Sequence, residues 1–196
     1  MSRGIFLVED DADARASLAR ALDRAGFSCV TAASYDEAIA TTPAGILSAC
    51  VVDIVLGEDD SAGLRLIPHF RALPGRPPVI VITAFADVEK VKAALNAGAA
   101  YLLEKPFRAA DLLDVVARFA TDPGEFRQYI DAALSRARLT EKETSVARLL
   151  LKGLTSQEIA RVESNSEKTI RQHVSQIYSK CGVSTRAEFF HFVFPS

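Results

Sequence analysis

The chain has 196 residues, 49% of them hydrophobic, with 23 Lys and Arg against 25 Asp and Glu. That length suits one medium and one small domain, and no apolar run approaches the ~18 residues needed to span a bilayer; this argues against a membrane protein and for a cytoplasmic one. Residues 1–138 hold 15 basic and 19 acidic side chains and residues 139–196 hold 8 and 6, so only the C-terminal part is mildly basic, a balance compatible with nucleic-acid binding but not diagnostic of it.

The first apolar stretch, Ile5-Phe6-Leu7-Val8, runs straight into Glu9-Asp10-Asp11. It is too short for the core of a signal peptide and reads as a buried strand. Four more short apolar runs follow, at Ser28–Ala32, Ala49–Asp53, Val79–Thr83 and Tyr101–Leu103. Amphipathic stretches separate or follow them at Asp13–Ala25, Ser34–Thr41, Gly63–Phe70, Asp87–Ala97 and Ala109–Ala120. This is a β-α unit repeated five times. Nearly all-apolar strands alternating with helices predict an α/β fold: a doubly wound, five-stranded parallel sheet covered on both faces. Residues 1–120 are assigned to it.

Thr121-Asp122-Pro123-Gly124 is a turn signal. Residues 121–138 then read as a helical linker, with Phe126, Ile130 and Leu134 at a spacing of four. From Leu139 onward the strand pattern disappears, and residues 139–196 read as a small all-α domain. Thr140-Glu141-Lys142-Glu143 and Thr155-Ser156-Gln157-Glu158 are capping boxes that start two helices. Gly153 ends the first of these. Ser166 caps a third helix reaching about Lys180, stopped by Gly182, and Thr185–Val193 forms a fourth. The short second and longer third helices, joined by a turn at Glu163–Asn165, make a helix-turn-helix. Cys29, Cys50 and Cys181 form neither a disulfide framework nor a zinc-ligand spacing and read as small buried hydrophobes.

In open parallel sheets, functional groups gather at the C-terminal strand ends. Here those ends carry Glu9 and Asp10, Asp53, Thr83, and Lys105. Clustered carboxylates repel one another and need a raised pKa or a bound cation. Oxygen ligands suit Mg²⁺ better than zinc. A cation beside Asp53 would screen an incoming phosphoryl group, Lys105 adds a second positive group and Thr83 a hydroxyl. Asp53 is then a natural nucleophile for an aspartyl phosphate. In the third C-terminal helix, Ile170, Val174 and Ile177 recur at core spacing, while Arg171, Gln172 and Ser175 share another face. Arg and Gln are the side chains that read guanine and adenine in the major groove. Ser166 and Thr169 sit where a helix N-terminus holds phosphate.

Two resemblances are carried by these residues. Through Val8-Glu9-Asp10-Asp11, Val52-Asp53, Ile82-Thr83-Ala84, Ala97-Gly98-Ala99 and Glu104-Lys105-Pro106-Phe107, residues 3–120 resemble a two-component receiver domain, which is flavodoxin-like. The resemblance implies that Asp53 accepts phosphate from a sensor histidine kinase. It implies further that Asp10, Asp53 and the Val55 carbonyl bind Mg²⁺ with Glu9 helping through water, that Thr83 and Lys105 contact the phosphoryl group, and that the Lys105–Pro106 bond is cis. Through Leu139-Thr140-Glu141-Lys142-Glu143, Gly153-Leu154-Thr155, Glu158-Ile159-Ala160, Lys168-Thr169-Ile170, His173-Val174, Ile177-Tyr178-Ser179-Lys180 and Gly182-Val183-Ser184-Thr185-Arg186-Ala187-Glu188, residues 139–193 resemble the DNA-binding domain of the LuxR/NarL/FixJ class. This implies a homodimer, formed on phosphorylation, that binds double-stranded DNA through Ser166, Lys168, Thr169, Arg171, Gln172, Ser175 and Lys180.

The expected function is a phosphorylation-controlled transcription factor that is a phosphoacceptor, not a turnover enzyme. Several positions depart from the family patterns. Leu102 stands where the receiver pattern has an aromatic, with Tyr101 next to it. The loop after Asp53 is longer, carries Glu58-Asp59-Asp60, has Gly57 in place of a proline, and brings Gly63 ten residues after Asp53 instead of eight. Glu163 and Asn165 replace apolar residues around the helix-turn-helix turn, and Cys181 replaces a larger apolar one. Glu163 and Asn165 motivate an alternative, a regulator acting through protein–protein contacts with weakened DNA binding. His173 is read as a packing residue, not a metal ligand.

Overall fold

The computed structural model describes residues 3–84, 87–119 and 123–193. They form five strands and ten helices in two compact units, Met1–Pro123 and Gly124–Ser196.

The first unit alternates β1 (Arg3–Val8), α1 (Ala12–Arg24), β2 (Phe27–Ala32), α2 (Tyr35–Thr41), β3 (Leu47–Asp53), α3 (Ala62–Arg71), β4 (Val79–Thr83), α4 (Val88–Ala97), β5 (Tyr101–Glu104) and α5 (Ala109–Phe119). All strand pairs are parallel, in the order β2-β1-β3-β4-β5. The α/β expectation therefore holds, and several strands begin one or two residues earlier than their apolar runs.

The central strands β3 and β4 are buried almost throughout, because helices cover both faces of the sheet. α1 packs with α5, while α2 and α4 both pack on α3. Phe6 and Phe70 meet edge to face at 5.5 Å and join β1 to α3. The strand order reverses direction between β1 and β3. That is the switch point of a doubly wound sheet, where a crevice opens at the C-terminal strand ends. Val8 pairs with Val52 there, so Glu9 and Asp53 emerge side by side.

The loop after Asp53 is ordered by its own hydrogen bonds. Leu56 and Asp59 exchange backbone bonds of 3.0 and 3.3 Å around Gly57, whose φ of 65° suits a residue without Cβ. The loop then runs into α3 at Gly63, whose N–H donates to the Ile54 carbonyl at 3.0 Å. A Cβ on Gly63 would lie 1.8 Å from the Asp53 carbonyl oxygen. This close packing seats the start of α3 on the Asp53 backbone.

The second unit contains α6 (Pro123–Arg136), α7 (Glu141–Leu151), α8 (Ser156–Val162), α9 (Glu167–Cys181) and α10 (Arg186–Val193). The turn expected at Thr121–Gly124 includes Thr121 and Asp122, which lie outside the described residues, as does the side chain of Phe126. Both predicted capping boxes are present, on Thr140 with Glu143 and on Thr155 with Glu158. Ser166 caps α9 by accepting from the Thr169 N–H at 3.0 Å, and Gly182 ends it in the left-handed region. α9 packs against α7, α8 and α10 through Ile170, Ile177 and Cys181.

Gly63→Ala forces the new methyl group into the Asp53 carbonyl. It is expected to destabilise the first unit by about 1–3 kcal/mol, read as a lower denaturation midpoint for that unit with α6–α10 unchanged.

Candidate functional site

The site lies where β1, β3, β4 and β5 end. Glu9, Asp53 and Thr83 are only 1%, 5% and 7% exposed, although each carries a polar side chain. Parallel pairing fixes their positions, since Asp53 sits opposite Ile82 and Thr83 opposite Glu104. One oxygen from each of Glu9, Asp10 and Asp53 lies within 4.8 Å of the other two. Lys105 reaches across from the end of β5. Its ammonium donates to Glu9 Oε2 at 3.1 Å and forms a short ion pair with Asp53 Oδ2. The Lys105–Pro106 peptide is cis.

The remaining oxygens have fixed partners. Asp53 Oδ1 accepts from the Val55 N–H at 3.1 Å, and Asp10 Oδ2 accepts from the Gly57 N–H at 2.9 Å. Arg15, in α1, donates through Nη1 to the Glu9 and Asp10 carbonyls at 2.7 and 3.0 Å. It holds the backbone that presents two of the three carboxylates. Sequence reading missed Arg15, because only the turn from β1 into α1 brings its guanidinium back over residues 9 and 10.

The electrostatics follow from this crowding. Burial raises the Glu9 carboxyl above its ordinary range, and Asp53 raises it further; Lys105 offsets only part of this. Burial works against the Lys105 ammonium, but its bonds to Asp53 and Glu9 outweigh that and hold its pKa above the ordinary lysine value. Oxygen donors in a partly paired acidic pocket suit a hard divalent cation of the Mg²⁺ type.

The acidic loop differs from a freely repelling one. Asp59 is bound to Arg65 at 2.7 Å and to the Ser61 N–H at 3.0 Å. Asp60 pairs with Lys90 of α4 at 2.8 Å. Two of its three charges are therefore compensated, and the pairing joins the loop to α4. Leu102 is buried at 1% exposure, whereas neighbouring Tyr101 packs its ring edge-on to Phe119 of α5.

In the second unit the cap residue Ser166 is exposed, and α9 presents Lys168, Arg171, Gln172 and Ser175 to solvent, with Thr169 half-buried. Ser166 Oγ and Thr169 Oγ1 are 2.7 Å apart at the helix N-terminus. Lys180 is placed differently. Its ammonium pairs at 2.5 Å with the buried carboxylate of Glu143 and joins α9 to α7. Glu163 forms a short ion pair with Lys142 and accepts from Ser145 Oγ at 2.9 Å. Asn165 is exposed and accepts from the Ser166 N–H at 2.8 Å. Both unusual polar residues thus have partners, and the reason for expecting a damaged helix-turn-helix is removed. Cys181 is buried in the helix interface. His173 is half-buried, and its enclosed Nδ1 has no hydrogen-bond partner among the described residues.

Comparison with known proteins agrees with this geometry. The family model of the response regulator receiver domain matches residues 5–117. That of the luxR family of bacterial regulatory proteins matches residues 137–193. The transcriptional regulatory protein FixJ of Bradyrhizobium diazoefficiens is 30% identical over 192 residues, covering 94% of this chain and 91% of FixJ. The transcriptional regulatory protein TdiR of Thauera aromatica is 27% identical over 196 residues, 96% of this chain and 84% of TdiR. Among solved structures, the response regulator StyR is similar over 98% of both chains, with a TM-score of 0.54 and 28% identity.

Glu9 supplies a pH test. A carboxyl whose pKa is raised by folding stabilises the fold while protonated, and this contribution is lost as pH rises through the raised value. Glu9→Gln keeps the shape and removes the charge. It is expected to exceed the wild type in thermal stability by about 1 kcal/mol at pH 7 without divalent cations, with a gap that narrows toward pH ~4.3. Melting curves across that range check the trend.

Proposed function

Because the chain belongs to the response regulator family, a receiver domain followed by a luxR-type DNA-binding domain, and is a transcription factor of a two-component system, we propose that Asp53 is its phosphoacceptor and that phosphate on Asp53 controls DNA binding. In this reading residues 1–120 are the receiver, 121–138 the connection and 139–196 the DNA-binding domain. The protein works in the cytoplasm, where its kinase partner and DNA are both within reach.

The observation that carries the reading is the set of contacts around Asp53. One oxygen is fixed by the Val55 N–H and the other is paired with Lys105. These contacts position the side chain to attack phosphorus. Transfer forms a P–O bond to Asp53 and breaks the P–N bond of the kinase phosphohistidine, whose imidazole leaves with the electron pair. Lys105 then turns from the carboxylate to a phosphoryl oxygen, and the Thr83 hydroxyl donates to another. Glu9, Asp10, Asp53 and the Val55 carbonyl would hold Mg²⁺. When bound, this ion neutralises carboxylate repulsion and stabilises phosphoryl oxygens. Each chain takes up one phosphate, so the protein is a phosphoacceptor and not a turnover enzyme.

The modification adds about −1.5 to −2 charge where Lys105 and Thr83 end β5 and β4. The helix between them, α4, is tied through Lys90 to the loop after Asp53. Rearrangement of this edge alters the face that pairs two receivers, and the homodimer places two α9 helices on inverted half-sites. Ser166 and Thr169 hold backbone phosphate; Arg171, Gln172 and Ser175 face the bases, and Lys168 lies beside the phosphates. Lys180 belongs in this reading to the α7–α9 clasp.

Two experiments test it. With a small-molecule phosphodonor and Mg²⁺, the wild type is expected to incorporate one phosphate and Asp53→Asn none; full incorporation by Asp53→Asn would remove the assignment. In a DNA-binding titration against salt, Gln172→Ala is expected to relax base preference by about 1–3 kcal/mol at one position while leaving nonspecific affinity intact. Equal loss on every sequence would place Gln172 off the bases.

A further inference from the structure

The exposed face of α9 contains an acidic residue that the DNA-binding assignment does not use. Glu167 is the first residue of the helix, half-buried, and carries a charge opposed to DNA phosphate. Its Oε1 accepts a hydrogen bond from Arg171 Nε at 2.9 Å and is ion-paired with Arg171 Nη2 at 2.6 Å. Both contacts come from one side of the guanidinium and end on one oxygen. Nη1, at the end of the fork, takes no part in this contact. That end is the part of an arginine that binds guanine O6 and N7 together. Open space on this face is bordered by Glu167, Lys168, Arg171, Gln172 and Ser175.

We propose that Glu167 is a positioning residue for DNA reading: it holds Arg171 side-on so that the free end of its fork selects guanine, and it resists dockings that bring phosphate to this position. The proposal rests on the assignment of Arg171 to the bases and goes beyond it. Two physical points decide between this role and simple support of the helix. A carboxylate at a helix N-terminus interacts favourably with the dipole, which requires no partner at Arg171. An exposed i,i+4 pair adds little to the stability of the free protein. The same pair becomes stronger where DNA excludes water, because the local dielectric falls. Its effect is therefore expected in the bound state, as base selectivity. Restricting a long, flexible arginine before binding also lowers the entropy lost on docking. The negative charge disfavours phosphate in the same place, so selectivity comes from a repulsive element together with an attractive one.

The experiment is selection of binding sites from a randomised duplex library with the full chain, comparing wild type, Glu167→Ala and Arg171→Ala, together with affinity for a duplex of unrelated sequence. The position at which Arg171→Ala loses its preference defines the base that Arg171 reads. There the wild type is expected to prefer guanine by about tenfold or more, and Glu167→Ala to retain a preference of about threefold or less. Affinity of Glu167→Ala for the unrelated duplex is expected to stay equal or rise. If Arg171→Ala changes no position, the base-reading assignment fails and this proposal with it. If Arg171→Ala loses guanine preference but Glu167→Ala keeps it in full, the assignment stands and this proposal alone is overturned. A uniform loss of affinity in Glu167→Ala with its base preference intact, as a weakened helix would give, also overturns it.

Discussion

Carboxylates crowded at one sheet edge repel each other, and the ammonium of Lys105 is the group that allows Glu9 and Asp53 to remain buried side by side. The surrounding architecture serves this contact. Parallel pairing of β1 with β3 places the two acids next to each other, and β5 carries Lys105 to them from the far side of β4. Arg15 clamps the Glu9 and Asp10 carbonyls, and Gly63 allows α3 to sit directly on the Asp53 backbone. A buried ion pair of this kind contributes little net stability, since desolvation offsets much of the attraction. Its value is positional. It holds the Asp53 side chain beside a cation that, in the proposed function, changes partner when a phosphoryl group arrives.

The raised Glu9 carboxyl is the residual cost of the arrangement, because Lys105 offsets only part of the burial and repulsion. This is a stability given up for function, as expected where a site needs like charges in close proximity. The acidic loop after Asp53 does not add to the burden in proportion to its charge. Asp59 and Asp60 each have a basic partner, and the second of these, Lys90, lies on α4. The loop extension therefore provides a physical connection between the end of β3 and a helix beyond β4.

Much of this was legible in the residues themselves. Five short apolar runs gave the strands, and capping boxes at Thr140 and Thr155 gave two helix starts, because burial and capping act locally along the chain. Glu9, Asp10, Asp53, Thr83 and Lys105 were recognisable together from their places at strand ends. What escaped the sequence depends on contacts between distant segments. Asp60–Lys90, Arg15 over residues 9 and 10, and the approach of Gly63 to Asp53 have no periodic or compositional sign. Glu163 and Lys180 are instructive for the same reason. Glu163 looked like a polar residue at an apolar site, yet Lys142 and Ser145 satisfy it. Lys180, expected at DNA, also has a partner within the unit, the buried carboxylate of Glu143.

In the proposed function a charge change at Asp53 alters what α9 does on DNA, and affinity with and without phosphate measures that link directly. Fluorescence anisotropy of a labelled duplex carrying a selected inverted repeat can be followed with the full chain, in Mg²⁺, before and after treatment with a small-molecule phosphodonor. The wild type is expected to bind about five- to 150-fold more tightly after treatment, and Asp53→Asn to show no change. Equal affinity before and after stoichiometric phosphorylation, or the same gain in Asp53→Asn, would contradict it.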